Sequence, residues 1–245
     1  MKEKRRDKPT SGFNSATSRF SKTLALSLSF LQKVKRERKR RSEFEFWERF
    51  NTKEKLSHSH FVYFYTTHFG LNERFCDKKR VLDVGCGPCG SLEWADMASE
   101  RIGLDPLVNS YRKLGINGHK MRYVSACAEK IPFPDGYFDI VSSFNSLDHI
   151  DDLDKSIKEL IRVIAPGGLF LLLTDLHDIP AICEPITYSW EIVERFLPDL
   201  KLIEERHYER VEDGMYQSVQ AGISYNHANK LKRQAVLSAK FIKPL

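Results

Sequence analysis

The 245-residue chain contains no run of about 18 consecutive apolar residues, so no segment of it reads as a transmembrane helix. Cysteine is scarce and odd in number. Five cysteines build no disulfide framework and point to a reducing, cytoplasmic setting. No internal repeat is present, which excludes solenoids and propellers. The body of the chain also lacks a basic surplus. Residues 1–41 hold 14 Lys/Arg against 3 Asp/Glu, whereas the remainder holds 25 against 30. The overall charge of +6 therefore belongs to an N-terminal tail. A nucleic-acid binder carries its basic footprint on a folded face, and here only the tail offers one.

What is present suits one sizeable α/β domain with an extension: 41% of the residues are hydrophobic, enough for a core at this length. Residues 1–41 read as a basic tail, with 1–20 expected to be disordered and 21–41 a charged helix. The apolar stretch Leu24–Leu31 imitates a signal-peptide core. The long basic lead, the absence of a small-residue cleavage site and the run Lys33–Arg41 behind it argue against export. Residues 42–79 are dense in aromatics, among them Phe44, Trp47, Tyr63 and Tyr65, and read as a helical cap.

From Arg80 the texture changes to short apolar runs alternating with helical patterns. Strands are expected at Arg80–Val84, Arg101–Leu104, Met121–Ser125, Phe138–Phe144 and Gly168–Leu176. Helices fall near 90–98, 107–114, 152–164 and Tyr188–Phe196. Two later β-like runs, Leu200–Arg210 and Met215–Asn226, close the sheet as a hairpin. This alternation predicts a doubly wound, Rossmann-like, mostly parallel seven-stranded sheet with an antiparallel last strand. The domain spans 80–230, and 231–245 is left as a polar tail.

The first strand runs into Gly85-Cys86-Gly87-Pro88-Cys89-Gly90. This loop fits three patterns. As a dinucleotide fingerprint it has the right strand before it and an acid, Asp105, about 20 residues on. Asp83 opposes that reading, because a carboxylate beside the loop repels a pyrophosphate. As a thioredoxin-like Cys-Gly-Pro-Cys it lacks the preceding Trp and the small domain. A zinc half-site fails because no second Cys/His pair lies at ligand spacing. The third pattern is a loop for S-adenosylmethionine (SAM), whose sulfonium and ammonium are cationic. An acid at the strand end then helps, and loop amides can meet the ligand carboxylate.

Further segments follow in order: Arg101-Ile102-Gly103-Leu104-Asp105, then Ala126–Asp135, then Phe138–Val141, then Glu159–Gly168. Residues 80–176 resemble the class I SAM-dependent methyltransferases, the group that includes ubiquinone/menaquinone C-methyltransferases and sugar and natural-product O-methyltransferases. The resemblance implies SAM as cofactor and assigns roles by position. Asp83, Gly85, Cys86 and Gly87 would surround its methionine part. Asp105, followed by Pro106, would hold the ribose. Ala128 and Glu129 would lie by the adenine. Asn145 would meet the methionine moiety through its backbone. The chain departs from the pattern at Cys127, where relatives carry an Asp that accepts the adenine amino group, a task a thiol does poorly.

His149 follows the fourth strand, with Asp148 beside it, and is the candidate base for a hydroxyl acceptor. His177 and Asp178, after the fifth strand, are further pocket candidates. No Asn-Pro-Pro-aromatic run follows the fourth strand, which argues against amino-methylation of nucleic-acid adenine. The expected activity is methylation of a small molecule, with O-methylation of a sugar, glycan precursor or similar metabolite first. An RNA or protein methyltransferase using the basic tail, and a SAM-binding module without catalysis, are the alternatives.

Overall fold

The computed structural model describes residues 14–54 and 61–245, with side chains described over 30–51 and 61–245. Two compact units divide the chain, Met1–Arg41 and Ser42–Leu245. Helix α1 spans Asn14–Glu54, so residues 14–20 are helical where disorder was expected. Ala, Leu, Lys and Arg along α1 are strong helix formers, and neither Gly nor Pro interrupts it. The expectations for 1–13 lie outside the described residues. Among the described residues, no helix is long and apolar enough to cross a membrane.

Seven strands form one sheet in the order β3-β2-β1-β4-β5-β7-β6. They are β1 Arg80–Val84, β2 Glu100–Leu104, β3 Arg122–Val124, β4 Phe138–Phe144, β5 Ile164–Leu176, β6 Lys201–Glu209 and β7 Ala235–Ile242. The first five run parallel, and β7 is antiparallel to both its neighbours. Leu82, Ile102, Val141 and Leu171 are fully buried, as expected of strands covered on both faces. β1 lies between β2 and β4, with Asp83 level with Gly103 on one side and Ser142 on the other. That places the carboxyl ends of three strands together, where open α/β sheets bind ligands.

Helix α2 spans Phe61–Tyr65 and α3 spans Val108–Tyr111, continued by a 3-10 turn to Leu114. Helix α4, Leu153–Val163, starts at Asp152, whose carboxylate accepts from the Lys155 amide at 3.1 Å. Its buried face is Ile157, Leu160 and Val163, at helical spacing. Arg162 on α4 donates to Glu159, to Asp135 and to the carbonyls of Ile131 and Phe133, tying the loop before β4 to the helix.

Five expectations are corrected. Residues 90–98 form a succession of turns rather than a helix; Pro88 and the left-handed Gly87 and Gly90 hold the chain off the helical path. Met215–Ala221 is a helix, α5, because Met215, Ser218 and Val219 are buried at i, i+3 and i+4, a helical period. Its place in the sheet is taken by β7, drawn from the expected tail at 231–245. β7 reads Ala-Val-Leu-Ser-Ala-Lys-Phe-Ile and is almost wholly buried between β5 and β6. The expected helix at Tyr188–Phe196 is a 3-10 helix over Trp190–Phe196. β5 starts earlier than expected, at Ile164, with a register irregularity opposite β4.

Candidate cofactor and active site

β1 carries Asp83 into the sheet centre, where it is 2% exposed. Its carboxylate accepts from Ser91 Oγ at 2.5 Å and Ser142 Oγ at 2.7 Å, and from the Tyr65 hydroxyl. Burial pushes its pKa up, and the three donors only partly hold it down. Asp83 is therefore an anchor between β1, β4, α2 and the loop after β1.

The loop needs its glycines. Gly85 sits at φ +76°, and a Cβ there would lie 2.2 Å from Ser146 Cβ. Gly87 sits at φ +56°, and a Cβ there would lie 3.1 Å from the Trp47 ring of α1. The Gly85 amide donates to the Leu104 carbonyl at 2.8 Å, and the Gly87 amide to Asp105 Oδ2 at 3.3 Å. Both amides are thus engaged within the protein. Cys86 is buried beside Gly103. Burial pushes its thiol far up and that of Cys89 to about 12, so both are protonated core residues and not redox thiolates at neutral pH.

Asp105 closes the second strand at 7% exposure. Oδ1 accepts from the Leu107 amide at 2.7 Å and Oδ2 makes the longer contact to Gly87. Burial pushes its pKa to about 7 against those two bonds, with nearby Glu43 adding to the rise. Pro106 is exposed, Ala128 lies in the core, and Glu129 Oε1 accepts from the amides of Asp151 (2.7 Å) and Asp152 (3.1 Å). Glu129 thus fastens the start of α4.

Asn145 ends β4 in the left-handed region, φ +49°, with its amide on the Leu173 carbonyl at 2.8 Å. Its Oδ1 is buried without a hydrogen-bond partner. A non-glycine residue at positive φ and a buried orphan acceptor each cost free energy, and such features concentrate at ligand sites.

His149 lies in a 3-10 turn after β4. Nδ1 is 3.3 Å from Glu43, and Nε2 is 3.8 Å from Asp148 and 3.9 Å from Glu184. Burial lowers its pKa, but Glu43, Asp148 and Glu184 outweigh this and raise it to about 9. Asp148 does not face solvent; it is fully buried. His177 Nε2 lies 3.6 Å from its second oxygen. Asp178 is exposed, 3.9 Å from Lys232. Tyr63 is half-buried and packs edge-on to Phe64.

Sequence reasoning did not single out Glu43, nor Trp47 as a neighbour of the glycine loop. They sit one helical turn apart on α1, joined by Trp47 Nε1 donating to Glu43 at 2.9 Å. An acid four residues before a Trp was the available signal. Glu184, in an irregular segment, carried none.

The residues fit SAM in three respects. Asn145 Oδ1 is an idle acceptor for a cationic ammonium. The two glycines leave a cradle that a Cβ would fill. Asp105 is a buried carboxylate whose charge two ribose hydroxyls would stabilise.

Residues 82–172 match the family model "Methyltransferase domain". The chain is 37% identical over 121 residues to the chloroplastic tocopherol O-methyltransferase of Arabidopsis thaliana, covering 46% of this chain and 35% of that one. It is 32% identical over 137 residues to the ubiquinone/menaquinone biosynthesis C-methyltransferase of Vibrio cholerae, covering 48% and 50%. It is 35% identical over 113 residues to a sterol 4-C-methyltransferase of Caenorhabditis elegans, covering 43% and 34%. The chain thus spans a third to a half of the length of these relatives. In fold it is similar to an S-adenosylmethionine-dependent methyltransferase from Mesorhizobium loti (TM-score 0.52, 16% identity, 71% and 94% covered). It is also similar to the [4+2]-cyclase SpnF (TM-score 0.53, 17% identity, 76% and 79% covered). Glycine loop, strand-end acids, sheet order and sequence likeness agree: residues 82–172 match a methyltransferase domain, and the chain is similar to class I methyltransferases, whose methyl donor is S-adenosylmethionine.

Proposed function

We propose that the protein transfers a methyl group from SAM to a hydroxyl of a small, ring-bearing metabolite in the cytoplasm, with sugars and glycan precursors the first class to test. The observation that carries this reading is the meeting of the Gly85–Gly87 cradle, Asp105 and the orphan Asn145 at the carboxyl ends of β1, β2 and β4. A neighbouring cleft of about 290 Å³ is lined by His177, Tyr188, Trp190, Tyr225 and His227 among others. Trp190 stacks on His207 at 3.8 Å and Tyr225 packs edge-on to Trp190. Such aromatic walls suit the flat face of a ring. The relatives' names support a ring acceptor (tocopherol, ubiquinone/menaquinone, sterol), and one of the three is an O-methyltransferase.

SAM, when bound, supplies a methyl group on a sulfonium. The chain's own residues position it: Asp105 accepts the ribose hydroxyls, Asn145 Oδ1 accepts from the ammonium, and the glycines allow close approach. Positioning of this kind supplies much of the rate of an in-line displacement. His149 takes the proton that the hydroxyl loses when its ring is neutral, so with its pKa raised to about 9 turnover should rise with pH toward that value. Glu43 holds Nδ1, which leaves Nε2 as the working atom.

The test is transfer of labelled methyl from SAM into a metabolite extract, for wild type and His149→Gln. The reading expects labelled product with wild type and a kcat lower by about 100-fold in the variant with KM little changed. SAM binding without transfer to any fraction contradicts it and favours a cofactor-binding module.

A further inference from the structure

Asp148 poses a problem that methyl transfer does not resolve. It is 0% exposed, and neither carboxylate oxygen has a hydrogen-bond partner. A buried carboxylate without hydrogen bonds is among the costliest groups a fold can hold. The basic groups nearest it are two imidazoles, His149 at 3.8 Å and His177 at 3.6 Å, and acids are more numerous. Glu43, Asp175 and Glu184 are all close enough to act on its neighbours electrostatically. Asp175 already has its own partner, Arg210, at 2.8 Å. The pocket therefore carries an excess of negative charge.

His177 faces the same point. Its Nδ1 is 3.0 Å from the Ile179 carbonyl. A carbonyl only accepts, so Nδ1 carries the proton, and a neutral ring then presents the bare Nε2 lone pair. That atom is buried, makes no hydrogen bond, and stands 3.6 Å from Asp148 Oδ2. A protonated imidazole paired with a carboxylate closes to about 2.8 Å. Nitrogen and oxygen ligands of one tetrahedral cation stand about 3.4 Å apart, from bond lengths near 2.1 Å. The observed spacing is closer to the second. A ring fixed through its far nitrogen by a backbone carbonyl is also the usual arrangement of a metal-ligating His. Glu184 completes the group: one ligand atom each from Asp148, His177 and Glu184 lie within 4.8 Å of one another.

We infer that Asp148, His177 and Glu184 form a binding site for a divalent first-row cation, zinc being the best match, built between the turn after β4 and the segment after β5. One imidazole and two carboxylates favour such an ion over calcium or magnesium, which prefer all-oxygen shells. The inference does not depend on methyl transfer. His207, His227 and Glu205 form a second, more exposed cluster, with His207 Nδ1 2.8 Å from His227 Nε2, so the experiment must separate the two.

The full chain is stripped with a chelator and titrated with zinc by calorimetry, and with cobalt(II) by visible absorption. Wild type, His177→Gln, Glu184→Gln and, as control, His227→Ala are compared, each checked for folding by circular dichroism. The inference expects one equivalent of zinc bound by wild type and by His227→Ala, and affinity at least 10-fold weaker in both His177→Gln and Glu184→Gln. The cobalt(II) d–d bands should weaken in parallel. Absence of binding to wild type, or wild-type affinity and spectrum in either folded variant of the proposed ligands, overturns it. Glu184 is more exposed than His177, so its variant decides if His177→Gln fails to fold.

Discussion

Asp105 carries two opposed demands. Its folded pKa is raised to about 7 by burial, so the native state holds the proton more tightly than the unfolded chain does. Its contribution is therefore harmless below about pH 4 and becomes destabilising as pH rises to about 7. Asp105→Asn is expected to stabilise the ligand-free protein by about 2 kcal/mol at pH 8 and by nothing at pH 4, measured by urea unfolding. The same variant should bind SAM at least 10-fold more weakly, and wild-type affinity should fall as pH drops below about 7. Asn145 makes a parallel case. Asn145→Gly relieves the positive φ and removes the orphan oxygen, so unfolding should cost about 1 kcal/mol more while SAM affinity falls. At this scale the sequence showed which residue types stand at the strand ends. It could not show that Glu129 is committed to the Asp151 and Asp152 amides, or that Gly85 and Gly87 use their own amides internally. Those partners come from segments distant in sequence.

At the scale of elements, the parallel half of the sheet was legible because each strand is a short apolar run bounded by turn residues. The antiparallel edge was harder. Met215–Asn226 mixes apolar and polar residues in a way that suits either period, and β7 lies behind a polar stretch that reads as the start of a tail. The sheet itself resolves this, since β7 bridges β5 and β6 along their length. Phe241 is fully buried between Phe170 and Phe196, with ring centroids 5.8 and 5.3 Å away. Phe241→Ala is expected to destabilise by about 3–5 kcal/mol in denaturant unfolding, whereas a residue in a solvated tail would change little. The segment of α1 that carries Glu43 and Trp47 was legible only as part of a helical cap, because only the packed fold brings it to the glycine loop. Trp47 rests on Gly87 and joins the cluster of Leu107, Val108 and Tyr111. Trp47→Ala should loosen this cover and raise the rate of SAM association in stopped-flow fluorescence, at a stability cost of about 2–3 kcal/mol.

For the whole molecule, the charge division found in the sequence coincides with the boundary between the compact units at Arg41 and Ser42. A small-molecule enzyme needs only the second unit. Removing residues 1–41 should leave turnover at physiological salt unchanged; a large, salt-dependent loss would instead favour a nucleic-acid acceptor captured by the tail. Methyl transfer by this chain rests on one claim, that the carboxyl ends of β1, β2 and β4 hold SAM. Calorimetric titration of the full chain with S-adenosylhomocysteine, for wild type and Asp105→Asn, tests it most directly. One equivalent bound by wild type, with affinity at least 10-fold weaker in the variant, is the result the account predicts. No binding to folded wild type, or equal affinity in both, would contradict it.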